Sequence, residues 1–191
     1  MGATDLPHLL VPDADGWDAW LDERGDSSPG VLLQIGKKGY TRTTLTWAQA
    51  VEVGLCYGWI DSQSARLDEA AYLQRFTRRG PRSIWSLVNV RTVERLEQQG
   101  RLRPAGLAAV QAARADGRWE RAYAGSAAAE VPADLQEALA RLPAALAAFT
   151  ALDRTNRYAV IFRVGRVLPA NRPRTIDRLV DRLAQGWVPH P

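Results

Sequence analysis

The pattern that most constrains the fold of this chain is a succession of three short runs within residues 59–76. The runs cover residues 59–63, 65–68 and 71–76, and only polar corners separate them. Side chains alternate between the two faces of a strand, and parallel neighbours need a crossover of about a dozen residues or more. Because these corners are too short for a crossover helix, the sequence predicts a small antiparallel sheet.

Further extended segments are predicted ahead of these runs. Residues 31–35, with the sequence VLLQI, favour a strand, and a turn at residues 36–39 leads into a second short extended piece around residues 40–43. Lys37 lies in that turn, where two interpretations are open: a solvated turn residue or a clamp for an anion. The sheet is therefore expected to extend beyond the three central runs.

Two helices are predicted to accompany the sheet. Residues 13–24 carry apolar side chains at helical spacing after an aspartate that can cap the first turn. The second helix covers residues 46–57, where Thr46 followed by Gln49 fits a capping box and Gly58 provides a left-handed end. The second helix is expected to pack against the sheet.

Helical signals continue after the basic loop that follows residue 76. Ser83 is predicted to cap a helical turn that carries Trp85, and Asn89 is predicted to cap a helix over residues 90–99. Another helix is predicted over residues 105–115, since a proline precedes an alanine-rich stretch with apolar positions at helical spacing.

The last third of the chain is predicted to be mainly helical. Residues 125–131 have the composition of a linker, and residues 172–185 show an apolar helical stripe. Residues 158–164 fit a buried strand as well as a helix. The sequence thus predicts an α+β protein with a core domain over residues 1–124 and a helical C-terminal region over residues 132–191 that packs on the core.

Histidine and cysteine usage excludes several classes of site. His8 and His190 lie near opposite ends of the chain, and Cys56 is its single cysteine. No ligand set for zinc, haem or an iron–sulfur cluster is available, and Ser-His-Asp or Cys-His catalysis lacks its base. Since no glycine-rich phosphate loop is present either, the sequence predicts no cofactor and no metal. Cys56 is expected to be a buried packing residue.

The charge of the chain is modest overall and uneven along it. The formal net charge is +4, yet residues 66–103 carry nine arginines against four acids. A local basic surface is therefore expected. The N-terminus has no signal-peptide pattern, and no apolar run reaches the roughly 20 residues that span a bilayer. These features predict a cytoplasmic protein without membrane insertion, while the oligomeric state stays open.

A candidate site is predicted in the stretch where aromatic, cationic and amide side chains are most densely interleaved, residues 58–89. Arginines beside indoles can bind a planar or anionic small molecule through paired hydrogen bonds and stacking. The alternative is an arginine–carboxylate lattice that only ties the elements together. The residues predicted to bind the ligand are Trp59, Arg66, Arg75, Arg79, Arg82, Ser83, Trp85 and Asn89, together with Lys37.

Two other function classes stay open on the sequence. An enzyme acting on a small organic substrate would use Asp61, Tyr57 or Asp68 as its acid or base, with arginines stabilising negative charge. A nucleic-acid-binding protein is compatible with the basic pI of about 9.6, although no recognition motif is present. Affinity that falls steeply with salt would identify nucleic-acid binding.

Several motifs together resemble the YdeI/OmpD-associated family, also labelled bacteriocin-protection proteins. The motifs lie between Trp17 and Trp119 and are WDAWL, VLLQIGKKG, TWAQAVEVGLCYGWID, LDEAAYLQRFTRRGPRSIWSLVN, GRLRPAG and DGRW. A looser resemblance continues through VPADLQEAL and the final basic helices. The chain departs from the family pattern at Arg78, where relatives have proline, and the closing pattern survives only as Arg166 and Arg172.

The resemblance implies a cytoplasmic bacterial α+β protein. Members of the family are linked by name to tolerance of bacteriocins or antimicrobial peptides and to envelope stress. Together with the candidate site, this implies a protein that binds a small anion or carboxylate without a cofactor, with a protective role. Whether the last helices complete the pocket is left open by the departures at Arg166 and Arg172.

Overall fold

The computed structural model describes residues 6–125 and 129–190, and in these ranges it contains a four-stranded mixed sheet and eight α-helices. The predicted α+β class is confirmed. The chain divides into two compact units: unit 1 comprises the residues up to Ser83 and Asn89–Trp119, and unit 2 comprises Ile84–Val88 and Glu120–Pro191. The predicted domain bounds stay a prediction, and residues 126–128 of the linker-like segment lie outside the described residues.

The sheet in unit 1 confirms the predicted antiparallel pairing. Its strand order is β1-β2-β4-β3; β4 pairs antiparallel with both β2 and β3, while β1 adds a parallel pair with β2. Two of the predicted runs join into the single strand β3, whose register shifts between Asp61 and Ser64. The strand bounds are β1 His8–Leu9, β2 Val31–Gly36, β3 Trp59–Arg66 and β4 Ala71–Arg78.

One face of the sheet forms the core of unit 1. Val31, Leu33 and Ile35 alternate along β2 and are buried, and Phe76 of β4 lies directly opposite Val31 in the register. Two helices precede β3 in the chain, α1 (Ala14–Arg24) and α2 (Trp47–Cys56). Trp17 joins them, because its indole nitrogen donates to the Ala50 carbonyl at 3.1 Å.

The signals that begin and end α2 act as predicted. The Thr46 side chain accepts from the Gln49 backbone while the Gln49 side chain accepts from the Thr46 backbone, which is a complete capping box. Gly58 follows with φ +72°. Trp47, the first residue of the helix, is 48% exposed, because Ala50 and Gly54 lie on the buried side.

A helix packs closely against the end of α2. α4 (Pro104–Ala115) follows α3 (Leu87–Gln98), and Arg103 donates its backbone N–H to the Cys56 carbonyl at 2.9 Å. A Cβ atom at Gly106 would lie only 2.2 Å from that same carbonyl oxygen. Glycine is thus required at position 106 by the close approach of two backbones.

Two predicted local structures between the helices are wrong. Residues 40–43 form no strand, because Tyr40 N–H closes a turn onto Lys37 and Thr44 N–H bonds the Pro12 carbonyl. Ser83 caps no helical turn, since its hydroxyl accepts from Gly80 N–H at 2.9 Å and so closes a turn.

The helix that Asn89 was expected to cap starts earlier than predicted. α3 begins at Leu87, which places Asn89 within its first turn. Leu87 N–H donates to the Tyr123 carbonyl at 2.9 Å, and Tyr123 N–H donates to the Trp85 carbonyl at 3.0 Å. A backbone partner from a distant segment therefore satisfies the first donor of the helix in place of a side-chain cap.

Unit 2 is built mainly from helices. Its apolar core includes the stripe Ile176, Leu179, Val180 and Leu183, as predicted for the last helix. Residues 158–164, which the sequence left between strand and helix, belong to a helix. The bounds are α5 Ala133–Ala140, α6 Pro143–Ala151, α7 Arg154–Gly165 and α8 Arg172–Ala184, with a 3₁₀ helix at Pro169–Asn171. In the ranges that the structure describes, every helix is too short or too polar to cross a membrane.

Candidate functional site

Trp59, the central aromatic of the predicted site, is a core residue of unit 1. It is only 1% exposed. Its ring meets Trp17 edge-on at 6.1 Å and Trp20 edge-on at 5.9 Å, while Trp17 also contacts Phe76 at 5.6 Å. Edge-to-face aromatic packing of this kind stabilises a core.

Three predicted residues stabilise the turn between β3 and β4. Lys37 donates to the carbonyls of Asp68 and Glu69 at 3.1 and 3.2 Å, and Arg66 pairs with Glu69. The Asp68 carboxylate accepts two backbone N–H groups, from Ala70 and from the next residue, at 2.7 Å each. Lys37, Arg66 and Asp68 therefore have structural partners at this turn.

The acid–base candidates Asp61 and Tyr57 have separate partners. Asp61 accepts a hydrogen bond from the Trp47 indole at 3.0 Å. Burial raises the pKa of Tyr57 to about 12, with a further contribution from the Asp18 charge, so this phenol keeps its proton at neutral pH. The Arg103 guanidinium lies 5.6 Å from the centre of the Tyr57 ring.

The remaining predicted residues belong to β4, the basic loop and the start of α3. Arg75 is half-buried on β4, with its Nε shielded from solvent, and Arg79 donates its backbone N–H to the Gly58 carbonyl at 2.8 Å. The Ser83 carbonyl accepts from Arg118 at 2.9 Å. The others differ in exposure: Arg82 is exposed, Asn89 is half-buried and Trp85 is buried in unit 2.

These predicted ligand-binding residues line none of three cavities found among the described residues. Their role in binding stays a prediction. One of the cavities lies in unit 1, with a volume of about 360 Å³ and walls that include Trp20, Arg24 and His8. The other two lie in unit 2. In the described part of the chain, no cluster of three or more His, Cys, Asp or Glu side chains could hold a metal ion.

The first cavity of unit 2 is the strongest candidate for a binding site. Its volume is about 290 Å³. Aromatic and aliphatic side chains form much of its wall, and two arginines contribute to it. The lining residues that matter for its chemistry are Tyr123, Tyr158, Ile161, Phe162, Arg121 and Arg172.

The aromatic wall is a connected group. Phe162 meets Tyr123 edge-on at 4.9 Å and lies 5.7 Å from Tyr158, measured between ring centres. The Tyr158 hydroxyl donates to the Ala124 carbonyl at 3.1 Å. Burial raises the pKa of Tyr158, with a smaller contribution from Tyr123. Tyr158 is thus a protonated, fixed wall residue at neutral pH.

Helix α7 presents this wall because it has two apolar faces. Val160 and Val164 lie on the face that packs into the core of unit 2. Tyr158, Ile161 and Phe162 follow one another at i, i+3 and i+4, and all three line the cavity, as does Gly165 at i+7. The opposite face of an already buried helix therefore forms the wall of the cavity.

Arg172 is held in place at the cavity by one hydrogen bond from each of its three guanidinium nitrogens. Its Nε and Nη2 donate to the two carboxylate oxygens of Asp134, at 2.5 and 3.0 Å, and its Nη1 donates to the Val164 carbonyl at 3.0 Å. This hydrogen-bonded pair holds the pKa of Asp134 below its usual range. The planar fork of arginine matches a carboxylate in two places at once.

The sequence signal for this wall was present but incomplete. Because residues 158–164 were undecided between strand and helix, no face could be assigned to Tyr158 or Phe162. Arg172 and Arg166 were singled out only as remnants of a family pattern. Arg172 does line the cavity, while the Arg166 guanidinium lies over the Phe162 ring at 5.4 Å.

Two family models match the chain. One, for a domain of unknown function, DUF8412, matches residues 9–109, and the other, described as "Bacteriocin-protection, YdeI or OmpD-Associated", matches residues 128–186. Neither the curated proteins nor the solved structures gave a match. The second model confirms the family resemblance, but on the C-terminal segment, whereas most of the motifs between Trp17 and Trp119 fall in the first. The matched segment 128–186 contains Tyr158, Phe162 and Arg172.

Proposed function

Since the chain belongs to the DUF8412 family and carries a segment of the bacteriocin-protection, YdeI or OmpD-associated family, we propose that it is a cofactor-free binding protein. Its ligand is a small apolar or aromatic anion held in the first cavity of unit 2. The observation that carries this proposal is the cavity itself, with an aromatic wall and two arginines, in and next to the segment that the second family model matches.

The lining of the cavity supports binding of such a ligand. Small-molecule sites are concave and mostly apolar, with a few polar groups that fix orientation. Tyr123 and Phe162 supply apolar surface, and Arg121 supplies a guanidinium, while Glu130 is the carboxylate among the described lining residues. Tyr158 keeps its proton and its hydroxyl donates a hydrogen bond to a backbone carbonyl, so it contributes a wall rather than an acid–base group.

The description of the second family suggests what binding would achieve. The description of this family includes the term bacteriocin protection. On this proposal the protein acts in the cytoplasm, where binding would lower the free concentration of a harmful compound or of a molecule produced under stress. The ligand would need an apolar body to contact the aromatic wall and an acidic group to pair with an arginine.

The proposal is tested by a substitution whose side chain fills part of the cavity. A Cβ at Gly165 meets no atom within 4 Å, and the residue lines the cavity at the end of α7, so Gly165→Leu should place its side chain in the cavity and reduce the free volume. The probe is 1-anilinonaphthalene-8-sulfonate, an aromatic anion that fluoresces when bound in apolar surroundings. We expect saturable binding to the native protein and at least a roughly tenfold loss of affinity in Gly165→Leu.

The matched control is Gly80→Leu. A Cβ at Gly80 also meets open space, and this residue lies in unit 1 outside the three cavities. Its affinity for the probe should equal that of the wild type, and both variants should melt close to the wild-type temperature. Unchanged probe binding in Gly165→Leu would overturn the proposed site. If Arg79→Lys weakens binding instead, the site lies at the basic loop of unit 1.

A further inference from the structure

A second cavity in unit 2 adjoins the first. Its volume is about 300 Å³, and it shares Ala129, Tyr158 and Ile161 with the first cavity. The two spaces therefore lie against the same side chains of α7. A ligand that passes these shared side chains would contact both cavities.

The second cavity differs from the first in its charge. Arg154 and Arg157 line it, and no carboxylate is among its described lining residues. The Nη2 atom of Arg157 donates to the carbonyls of Leu152 and Thr150, at 2.9 and 3.4 Å. The N–H donors on its Nε and Nη1 have no partner among the described residues. The Arg157 guanidinium is therefore fixed in position and can still donate hydrogen bonds to an anion.

We propose that the ligand is an elongated dianion with an apolar body, an inference that rests on the proposed function. One acidic group lies in the first cavity near Arg121 and Arg172, and the apolar body contacts Tyr158 and Ile161. The second acidic group lies in the second cavity and accepts hydrogen bonds from Arg154 and Arg157. The class of ligand is thus an amphipathic dicarboxylate or a molecule of the same chemistry, rather than a simple monoacid.

Comparing the affinities of a diacid and the matched monoacid distinguishes this proposal from a ligand with one acidic group. A second carboxylate that enters an apolar wall without a cation loses hydration, so a diacid would bind more weakly than the matched monoacid. A second carboxylate that meets two guanidinium groups gains charge-assisted hydrogen bonds, and the diacid then binds more tightly. The difference expected for such a bond is about tenfold or more in affinity.

The test uses decanoate and decanedioate, which share one chain length and differ in the second carboxylate. Each displaces 1-anilinonaphthalene-8-sulfonate from the native protein, and displacement gives the affinity. We expect decanedioate to bind about tenfold more tightly than decanoate to the wild type. Arg154→Gln and Arg157→Gln should each reduce or reverse this preference, with decanoate binding unchanged.

Arg174→Gln is the matched control. Arg174 is exposed on α8 and lines neither cavity, so this variant removes the same charge from the same unit and should keep the preference for decanedioate. Since Arg157 also donates to two carbonyls, a melting curve is measured for each variant. If Arg157→Gln unfolds, the result for Arg154→Gln alone tests the second subsite.

The experiments give different results if the second subsite fails and if the proposed function fails. If decanoate binds and Gly165→Leu abolishes its binding, but decanedioate gains nothing, the second anionic subsite is refuted and the proposed function stands. If neither acid displaces the probe and Gly165→Leu changes nothing, both proposals are overturned. A preference for decanedioate that survives Arg154→Gln and Arg157→Gln also refutes the subsite.

Discussion

The two units use the same kinds of side chain for different purposes. In unit 1 the rings of Trp17 and Trp59 contact other aromatic rings and are almost completely buried. In unit 2 Tyr123, Tyr158 and Phe162 also contact one another, yet each also lines a cavity. Aromatic residues therefore mark a binding site only where packing leaves space beside them.

The arginines differ between the units in a similar way. Arg95 and Arg101 both pair with Glu52, at 2.5 and 2.6 Å, and the hydrogen bond from Arg95 is the main reason why the pKa of Glu52 is lowered. Residues 154–182 carry eight arginines against two aspartates, and two of these arginines line the second cavity. The density of arginine in a sequence thus does not locate a site, because nearby acids can bind the guanidinium groups.

The largest expected effect breaks the close packing of unit 1. Gly106→Ala places a Cβ 2.2 Å from the carbonyl oxygen of Cys56, a backbone atom that cannot move aside as the end of a flexible side chain could. We expect a loss of about 3 kcal/mol in the free energy of unfolding, measured by urea denaturation. Gly165→Ala is the matched control, since its Cβ meets open space. A wild-type unfolding curve for Gly106→Ala would show that α4 can move away from α2.

A smaller effect, sensitive to pH, tests the ion pair at the cavity of unit 2. Arg172 lowers the pKa of Asp134 in the folded state, so the stabilisation is complete above the unfolded value of about 3.9 and is lost as the pH falls through the lower folded value. Asp134→Asn should cost about 1 kcal/mol at pH 7, measured by urea denaturation, because the pair is partly exposed to solvent.

The same comparison repeated at decreasing pH checks the sign. The unfolding free energies of the wild type and of Asp134→Asn should converge once the pH is below the folded pKa of Asp134. A difference between them that stays constant down to that pH would mean that the carboxylate contributes shape rather than charge.

The smallest effect concerns a residue that the sequence placed in the binding site. Arg66 and Glu69 are both largely exposed, so their ion pair is screened by water. Arg66→Gln should change the free energy of unfolding by less than about 0.5 kcal/mol and leave binding of 1-anilinonaphthalene-8-sulfonate unchanged. Weakened probe binding in this variant would return the site to unit 1 and remove the contrast between the units.

The elements that the sequence predicted correctly depend on local signals. The capping box at Thr46 and Gln49, the left-handed Gly58 and the apolar stripe of α8 each involve residues within a few positions of one another. The antiparallel pair of β3 with β4 also follows from the short corner between them. These features require no knowledge of distant contacts.

The features that could not be predicted depend on segments far apart in the chain. α3 begins at Leu87 because its first N–H reaches the carbonyl of Tyr123. β1 joins the sheet through a parallel pair with β2 that no local pattern indicates. The candidate cavity likewise combines residues near 121–132 with residues 158–172, so its lining can be recognised only once α7 is known to be a helix.

The short segment Ile84–Val88 affects how unit 2 is encoded along the gene. It belongs to unit 2, although the chain on both sides of it belongs to unit 1, and Tyr123 bonds it through Trp85 and Leu87. A gene fragment that encodes only residues 120–191 would leave the N–H and carbonyl of Tyr123 without these partners. The unit with the cavity therefore does not correspond to one uninterrupted stretch of the gene.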